Sequence, residues 1–380
     1  MNKSFTLKSS KSKSLIGKTS APSDKSISHR ALILSSICLG NSKIYGLLES
    51  NDILNTLESI KKLGIKILKN NDHYEVYGNG GFFNDPKKNL DFGNSGTGIR
   101  LMTGLLSTRN VNAVLVGDKS LSKRPMKRII DPLTEMHTLI EHNNGKLPLK
   151  IKSNNFFSIP IKYKLLIGSA QVKSAILLAA TAVQGATEII EENPSRDHTE
   201  RLLKFLGAEI TVKKKKAKNI IKLTSPCLLK PKDFFVPGDF SSAAFLIVAS
   251  LLIPESKIII KDVGLNFFRI GLIDVLKKMK GNISIRNRRL VNMEEVGDIH
   301  VSHSKLLAVD VEKSETTRLI DEYPILFVAA SFAKGTSNFK GLGELKFKES
   351  NRIEAMEKAL KNAGVNIQIK RDDVTIIGEN

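Results

Sequence analysis

Asp321 and Glu322 stand directly before an apolar segment, and Lys348-Glu349-Ser350-Asn351-Arg352 opens the helical pattern that follows it. Two carboxylates held among so many cations can act as base and acid. Nearby positive charge keeps each ready to shuttle a proton. Acids at these positions also suit helix starts through the dipole alone, so the segment leaves both readings open.

Further segments could hold an anion. Ser23-Asp24-Lys25-Ser26-Ile27-Ser28-His29-Arg30 clusters Lys25, Ser26 and Arg30 at the start of an apolar helix. Free backbone amides and the dipole favour negative charge there, although a serine cap flanked by surface cations would look the same. Gly93-Asn94-Ser95-Gly96-Thr97-Gly98 is a glycine-rich turn into a second apolar helix, with Arg100 one turn inside. Its glycines let backbone amides approach a phosphate or carboxylate closely. Lys123-Arg124-Pro125-Met126-Lys127-Arg128 packs four cations around a turn, and arginine's planar fork fits either anion; a solvated basic helix start is the alternative. Ser169-Ala170-Gln171-Val172-Lys173-Ser174 offers a hydroxyl, a side-chain amide and backbone amides at a third helix start. Ser195-Arg196-Asp197-His198 opens an amphipathic helix, where a capping box with Glu200 competes with a functional arginine. Gly17-Lys18-Thr19-Ser20 is no phosphate-binding Walker loop, because the glycine such a loop requires falls on Ser12.

These residues sit on a repeated frame. Segments rich in small apolar residues, at 26–40, 94–108, 169–185, 239–256 and 321–335, each lead into a short strand pattern. An amphipathic helix follows each strand. Those at 52–63, 198–206, 270–280 and 352–363 stop at Gly64, Gly207, Gly281 and Gly364, where glycine supplies the left-handed closing residue. A looser fifth spans 127–142 and ends near Gly145. A strand such as 208–212 or 365–369 then closes the unit. The period is about 75 residues, far longer than a solenoid repeat.

At 380 residues and 41% hydrophobic, the chain suits two domains. No apolar run approaches the roughly 18 residues that span a bilayer, and the basic N-terminus lacks the apolar core of a signal peptide. A cytoplasmic protein is expected. Cys38 and Cys227 show no metal-ligand spacing, and His300-x-x-His303 lies in a strand pattern rather than a metal motif. The net charge of +21 is compatible with nucleic acid, an acidic surface or small polyanions. Aromatic residues are only 6% and do not interleave with the basic runs, which weakens a stacking platform for single strands. The lysine cluster at 213–216 reads as a solvated strand end or turn.

Taken in order, seven motifs resemble one family, the 5-enolpyruvylshikimate-3-phosphate synthases. They are Asp24-Lys25-Ser26-Ile27-Ser28-His29-Arg30, Gly93-Asn94-Ser95-Gly96-Thr97 and Gly117-Asp118-x-Ser120-Leu121-x-x-Arg124-Pro125-Met126. Next come Ser169-Ala170-Gln171-Val172-Lys173-Ser174 and Pro237-Gly238-Asp239-x-Ser241-Ser242-Ala243, then Asp321-Glu322-x-Pro324 and Lys348-Glu349-Ser350-x-Arg352. Ser195-Arg196-Asp197-His198-Thr199-Glu200 resembles the bacterial branch.

The resemblance implies an α/β, two-lobed enolpyruvyl transferase fold, an inside-out α/β barrel of βαβαββ modules. Five of the expected six modules are present. Residues 22–237 would form a complete three-module lobe, and 1–21 with 238–380 a discontinuous one. Phosphoenolpyruvate would donate its enolpyruvyl group to the 5-hydroxyl of shikimate 3-phosphate. Lys25, Ser26, Arg30, Ser169, Ala170, Gln171, Arg196, Asp321 and Lys348 would meet shikimate 3-phosphate. Lys25, Asn94, Gly96, Arg124, Gln171 and Arg352 would cradle phosphoenolpyruvate. Asp321 would take the hydroxyl proton, Glu349 would protonate the methylene, and Lys25 would assist catalysis. No metal or organic cofactor, nucleic acid or membrane is implied, and a monomer is expected.

Family members continue for several tens of residues, into a module with further cations for phosphoenolpyruvate. The sequence stops at Asn380, so it is either a fragment of a longer chain or has an incomplete second lobe; if incomplete, an exposed apolar helix slot, weaker phosphoenolpyruvate binding and weak or absent turnover are expected. Glyphosate, the phosphonate that occupies the phosphoenolpyruvate site in this family, would find room beside Gly96. Two other readings compete. The sister transferase acting on UDP-N-acetylglucosamine would carry a reactive cysteine near 110–125, where this chain has Gly117-Asp118-Lys119-Ser120. A non-catalytic remnant or basic anion- or nucleic-acid-binding protein would not need the acid–base set.

Overall fold

The computed structural model describes residues 8–153, 158–215, 218–348 and 350–378, so Glu349 and Lys216 lie outside the described residues. The chain forms helices α1 (Lys25–Ile37), α2 (Asn51–Lys62), α3 (Gly96–Ser107), α4 (Lys127–Glu135) and α5 (Ala170–Ala180). It continues with α6 (His198–Phe205), α7 (Phe240–Leu252), α8 (Gly271–Lys278), α9 (Tyr323–Ser331) and α10 (Arg352–Asn362). Odd-numbered helices are the apolar ones and even-numbered helices the amphipathic ones.

Helix starts follow from capping chemistry. Asp24, Ser95, Ser169 and Asp239 each stand just before an apolar helix and accept a backbone N–H of its first turn. That satisfies one or two of the four amides a helix start leaves unpaired and holds the remainder in a fixed direction. Ends are less uniform. Gly64 and Gly207 close α2 and α6 with φ of 94° and 93°. After α8 the left-handed residue is Lys280, φ 68°, one position before the expected Gly281. The expected helix over 127–142 stops at Glu135, because His137 turns left-handed (φ 61°) and Leu139–Asn143 pairs antiparallel with Lys146–Lys152. Sheet pairing there outweighs the helical pattern. Gly145 belongs to the turn between those strands.

Among the described residues, strands assemble into five four-stranded sheets, one per unit. In each, an outer strand runs parallel to the strand after the apolar helix. That strand pairs antiparallel with the last strand of the unit, which pairs with the strand after the amphipathic helix. Lys146–Lys152 shows the burial logic: Leu147, Leu149 and Ile151 point inward and the alternating residues outward. Two outer strands are exchanged. Ile16–Ser20 joins the sheet of Lys257–Gly264, while Phe234–Phe235 returns to Leu39–Tyr45. The chain therefore crosses twice at one place, where Ser23 bridges Gly238.

Among the described residues, two separate cores result. One runs from Ile27 to Phe234; the other runs from Phe240 to Ile376 and packs Leu15 and Ala21 against it. In the first, α1 buries every residue from Ile27 to Ile37. Helices α3 and α5 touch so closely that a β-carbon on Gly104 would lie 2.3 Å from the Ala175 carbonyl oxygen. In the second, α7 leaves Phe245 60% exposed, and Phe332, capping α9, is 55% exposed.

Candidate active site

Three helix starts converge in the first half. His29 of α1 reaches Ser95, the cap of α3 (3.3 Å), and Thr56 of α2 (3.0 Å). Burial, then the charges of Lys25 and Arg30, push the His29 pKa down to about 3, so this ring is neutral. Arg30 donates to Thr199 (2.7 Å), to Ser174 of α5 (2.8 Å) and to the Ser26 carbonyl (2.9 Å). Gln171 of α5 accepts from Arg100 (2.8 Å) and donates to Thr97 (3.0 Å), both on α3. The N-terminal ends of α1, α3 and α5 are thus tied together with their positive dipole ends adjacent, a ready-made environment for anions.

Cations line this place. Lys25 opens α1 and lies 3.3 Å from Asp52. Arg124 donates to the Asn94 side chain, and Asn94 donates to Asp118 (2.7 Å). Gly96 begins α3, and a β-carbon on it would come 2.9 Å from Arg124 and 3.0 Å from Arg100. Ser169 and Ala170 form the cap and first residue of α5.

The second half supplies carboxylates. Asp321 is bound by Arg196 from the first half, by Arg352 at 3.2 Å and by Lys348 at 3.4 Å. Burial alone would raise its pKa, yet Arg196, Lys348 and Arg352 hold it well below the usual carboxylate range. Its neighbour Glu322 behaves oppositely. Glu322 is buried, accepts the Ser241 hydroxyl at 2.5 Å, and has its pKa raised by that burial against the attraction of Arg196 and Arg269. Arg128 faces Glu344 at 3.6 Å across the same gap.

Where the chain crosses, Arg269 joins the halves. Its guanidinium donates to Asp24, which caps α1, to Asp239, which caps α7 (3.1 Å), and to Ser241 (2.7 Å). Asp239 in turn accepts the backbone N–H of Lys25 at 3.2 Å. His198 pairs with Glu294 (2.7 Å) and Asn266 donates to Asp197 (2.6 Å) beside it.

The structure therefore brings Arg196, Asp321, Lys348 and Arg352 into direct contact, and groups Lys25, Ser26, Arg30, Asn94, Gly96, Arg124, Ser169, Ala170 and Gln171 around the joined helix starts. Glu349 cannot be placed, being outside the described residues. The capping box between Ser195 and Glu200 is replaced: Glu200 pairs with the buried Lys173 at 2.7 Å, and Asp197, not Ser195, precedes α6 without a side-chain cap bond. Sequence reasoning missed Arg269, which stands in no motif. Lys173 carried a usable signal, since a lysine inside an apolar helix demands buried acidic partners.

Among known proteins, the enolpyruvyl transferase NikO of Streptomyces tendae superposes with a TM-score of 0.70 over 96% of this chain and 83% of its own, at 14% identity. The fold is that of the enolpyruvyl transferases. An EPSP synthase structure from Acinetobacter baumannii matches more tightly, with TM-score 0.86 and 36% identity over 97% of this chain and 83% of its own. The 3-phosphoshikimate 1-carboxyvinyltransferase of Zymomonas mobilis is 45% identical over 375 residues, covering 98% of this chain and 83% of the relative. That of Novosphingobium aromaticivorans is 44% identical over 369 residues, or 96% of this chain and 83% of the relative. The family model described as EPSP synthase (3-phosphoshikimate 1-carboxyvinyltransferase) matches residues 9–380, and the chain belongs to that family.

Proposed function

We infer that this chain joins the enolpyruvyl group of phosphoenolpyruvate to the 5-hydroxyl of shikimate 3-phosphate and releases inorganic phosphate, a step of the shikimate route to chorismate and the aromatic amino acids. Its family and its relatives support the reaction. The observation that carries the site is a single carboxylate, Asp321, held by cations from both halves.

In this reading Asp321 takes the proton of the attacking hydroxyl as its oxygen bonds to the enol carbon. Glu349 gives a proton to the methylene, forming a tetrahedral adduct. Loss of a methyl proton and of phosphate restores the enolpyruvyl double bond. A carboxylate gripped by three cations is a poor base, so the timing matters. The incoming phosphate and carboxylate groups draw Arg196, Lys348 and Arg352 toward themselves, and Asp321 gains basicity when the hydroxyl arrives. Lys25, Ser26, Arg30, Ser169, Ala170, Gln171, Arg196 and Lys348 are assigned to shikimate 3-phosphate. Lys25, Asn94, Gly96, Arg124, Gln171 and Arg352 are assigned to phosphoenolpyruvate. Fixed cations and helix dipoles stabilise the crowded adduct more than the separated substrates, which lowers the barrier.

Two lobes, 22–237 and 1–21 with 238–380, would close on the substrates, their relative position set near Arg269. One chain supplies both faces, and we take the enzyme to act as a cytoplasmic monomer. Among the described residues no helix is long and apolar enough to cross a membrane. Calorimetric titration with shikimate 3-phosphate, followed by phosphate release on adding phosphoenolpyruvate, tests the assignment. Saturable binding of shikimate 3-phosphate and none of UDP-N-acetylglucosamine is expected; the reverse preference would overturn it.

A further inference from the structure

Lys173 lies on α5 between Gln171 and Ser174, with its side chain 0% exposed. Its ammonium sits 3.0 Å from Glu191 and 2.7 Å from Glu200, one buried cation between two buried carboxylates. Such a cluster is costly to assemble, and it leaves one Glu200 oxygen without a partner while Lys173 keeps both carboxylates within reach. What it encloses is one residue, Ser195. Glu191 accepts the Ser195 hydroxyl (2.6 Å) and its backbone N–H (3.3 Å), while Lys173 donates to the Ser195 carbonyl (3.3 Å). All three polar groups of Ser195 are therefore committed. The peptide that joins Ser195 to Arg196 is held in orientation, and Arg196 leaves it to meet Asp321 in the other half.

We propose that Lys173 and Glu191 are positioning residues, which clamp Ser195 and so aim Arg196 across the cleft. This rests on the assignment of Arg196 to the shikimate 3-phosphate site. Arginine on a free turn would lose entropy each time it met its target; a clamped turn has lost it already. Helix α5 then serves the site twice, through Gln171 at its start and through Lys173 one turn in. The same helix fixes Arg30 through Ser174, so the clamp and the first anion cluster share one rigid element.

The test is a double-mutant cycle read by calorimetry with shikimate 3-phosphate on the full chain, with melting temperatures alongside. Glu191→Gln preserves volume and leaves Lys173 paired with Glu200. It is expected to weaken binding about tenfold. In steady state the KM for shikimate 3-phosphate rises with it, while kcat and the KM for phosphoenolpyruvate stay within about twofold. In an Arg196→Ala background the same substitution should change affinity by less than about twofold, because nothing remains to be aimed. Equal weakening in both backgrounds, or none in folded Glu191→Gln protein, overturns the proposal. Unchanged affinity in Arg196→Ala alone overturns the assignment of Arg196 instead. Where Glu191→Gln fails to fold, Ser195→Ala decides by the same cycle, with an expected loss of about threefold that vanishes without Arg196.

Discussion

The two halves are built from the same unit, yet they bury their apolar helices to different degrees. Helix α1 carries Lys25, His29 and Arg30 and is buried from Ile27 onward, whereas the far more apolar α7 leaves Phe245 in solvent. Composition alone does not decide burial. In the first half three apolar helices, α1, α3 and α5, cover one another. In the second, α7 and α9 are the two described apolar helices; α7 exposes Phe245, and α9 keeps a face that is only partly buried. His29 and Arg30 of α1 are tolerated inside because both have partners: His29 has Thr56 and Ser95, and Arg30 has Ser174 and Thr199. A division of labour follows. The closely wrapped half offers aimed amides and cations, and the more open half offers the carboxylate together with Lys348 and Arg352.

Replacing Asp321 by Asn should give the largest effect, because the second half then loses the base we propose for it. Phosphate release is expected to fall about a thousandfold, and a fall of less than tenfold would remove Asp321 from the chemistry. In the first half, Leu32→Ala should cost about 2–5 kcal/mol of stability in denaturant titration, since a fully wrapped site cannot collapse around the cavity. A value near zero would mean α1 is less enclosed than described. Gly96→Ala should be milder. Its methyl would press on Arg124 and Arg100, whose flexible ends can shift. Inhibition by glyphosate is expected to weaken about tenfold with smaller change in shikimate 3-phosphate affinity; unchanged inhibition would displace Gly96 from that site.

Acid should also distinguish the halves. Asp321 has a folded pKa below its unfolded value of about 3.9, so its contribution is present above that value and is lost as pH falls through the folded one. Asp321→Asn protein should therefore lose less stability than wild type as the pH drops below about 4, read from melting temperatures across that window. Equal losses would mean the three cations do not favour the ionised acid. The smallest effect belongs to the open face. Phe245→Ser should change stability by no more than about 0.5 kcal/mol, and a core-sized loss would show that α7 is covered.

Much of this plan was legible in local sequence. The apolar segments at 26–40, 94–108, 169–185 and 239–256 fall on α1, α3, α5 and α7, although the cap expected at Ser26 is supplied by Asp24, whose side chain accepts an amide three residues on. The repeat was legible because each unit pairs an apolar helix with an amphipathic one. What escaped depends on partners far along the chain. The end of α4 was set by sheet pairing of Leu139–Asn143, and Glu200 left its local capping role for Lys173. Arg269 draws its role from Asp24 and Asp239, distant in sequence and adjacent only because the chain crosses itself twice. Such relations have no local spacing to read.

The central claim is that both halves contribute to one site, and a crystal structure with shikimate 3-phosphate bound tests it most directly. The account predicts the phosphate on the start of α5 at Ser169, Ala170 and Gln171, with the 5-hydroxyl in hydrogen-bond reach of Asp321. A ligand held by one half alone, with Asp321 still locked to Arg196, would contradict it.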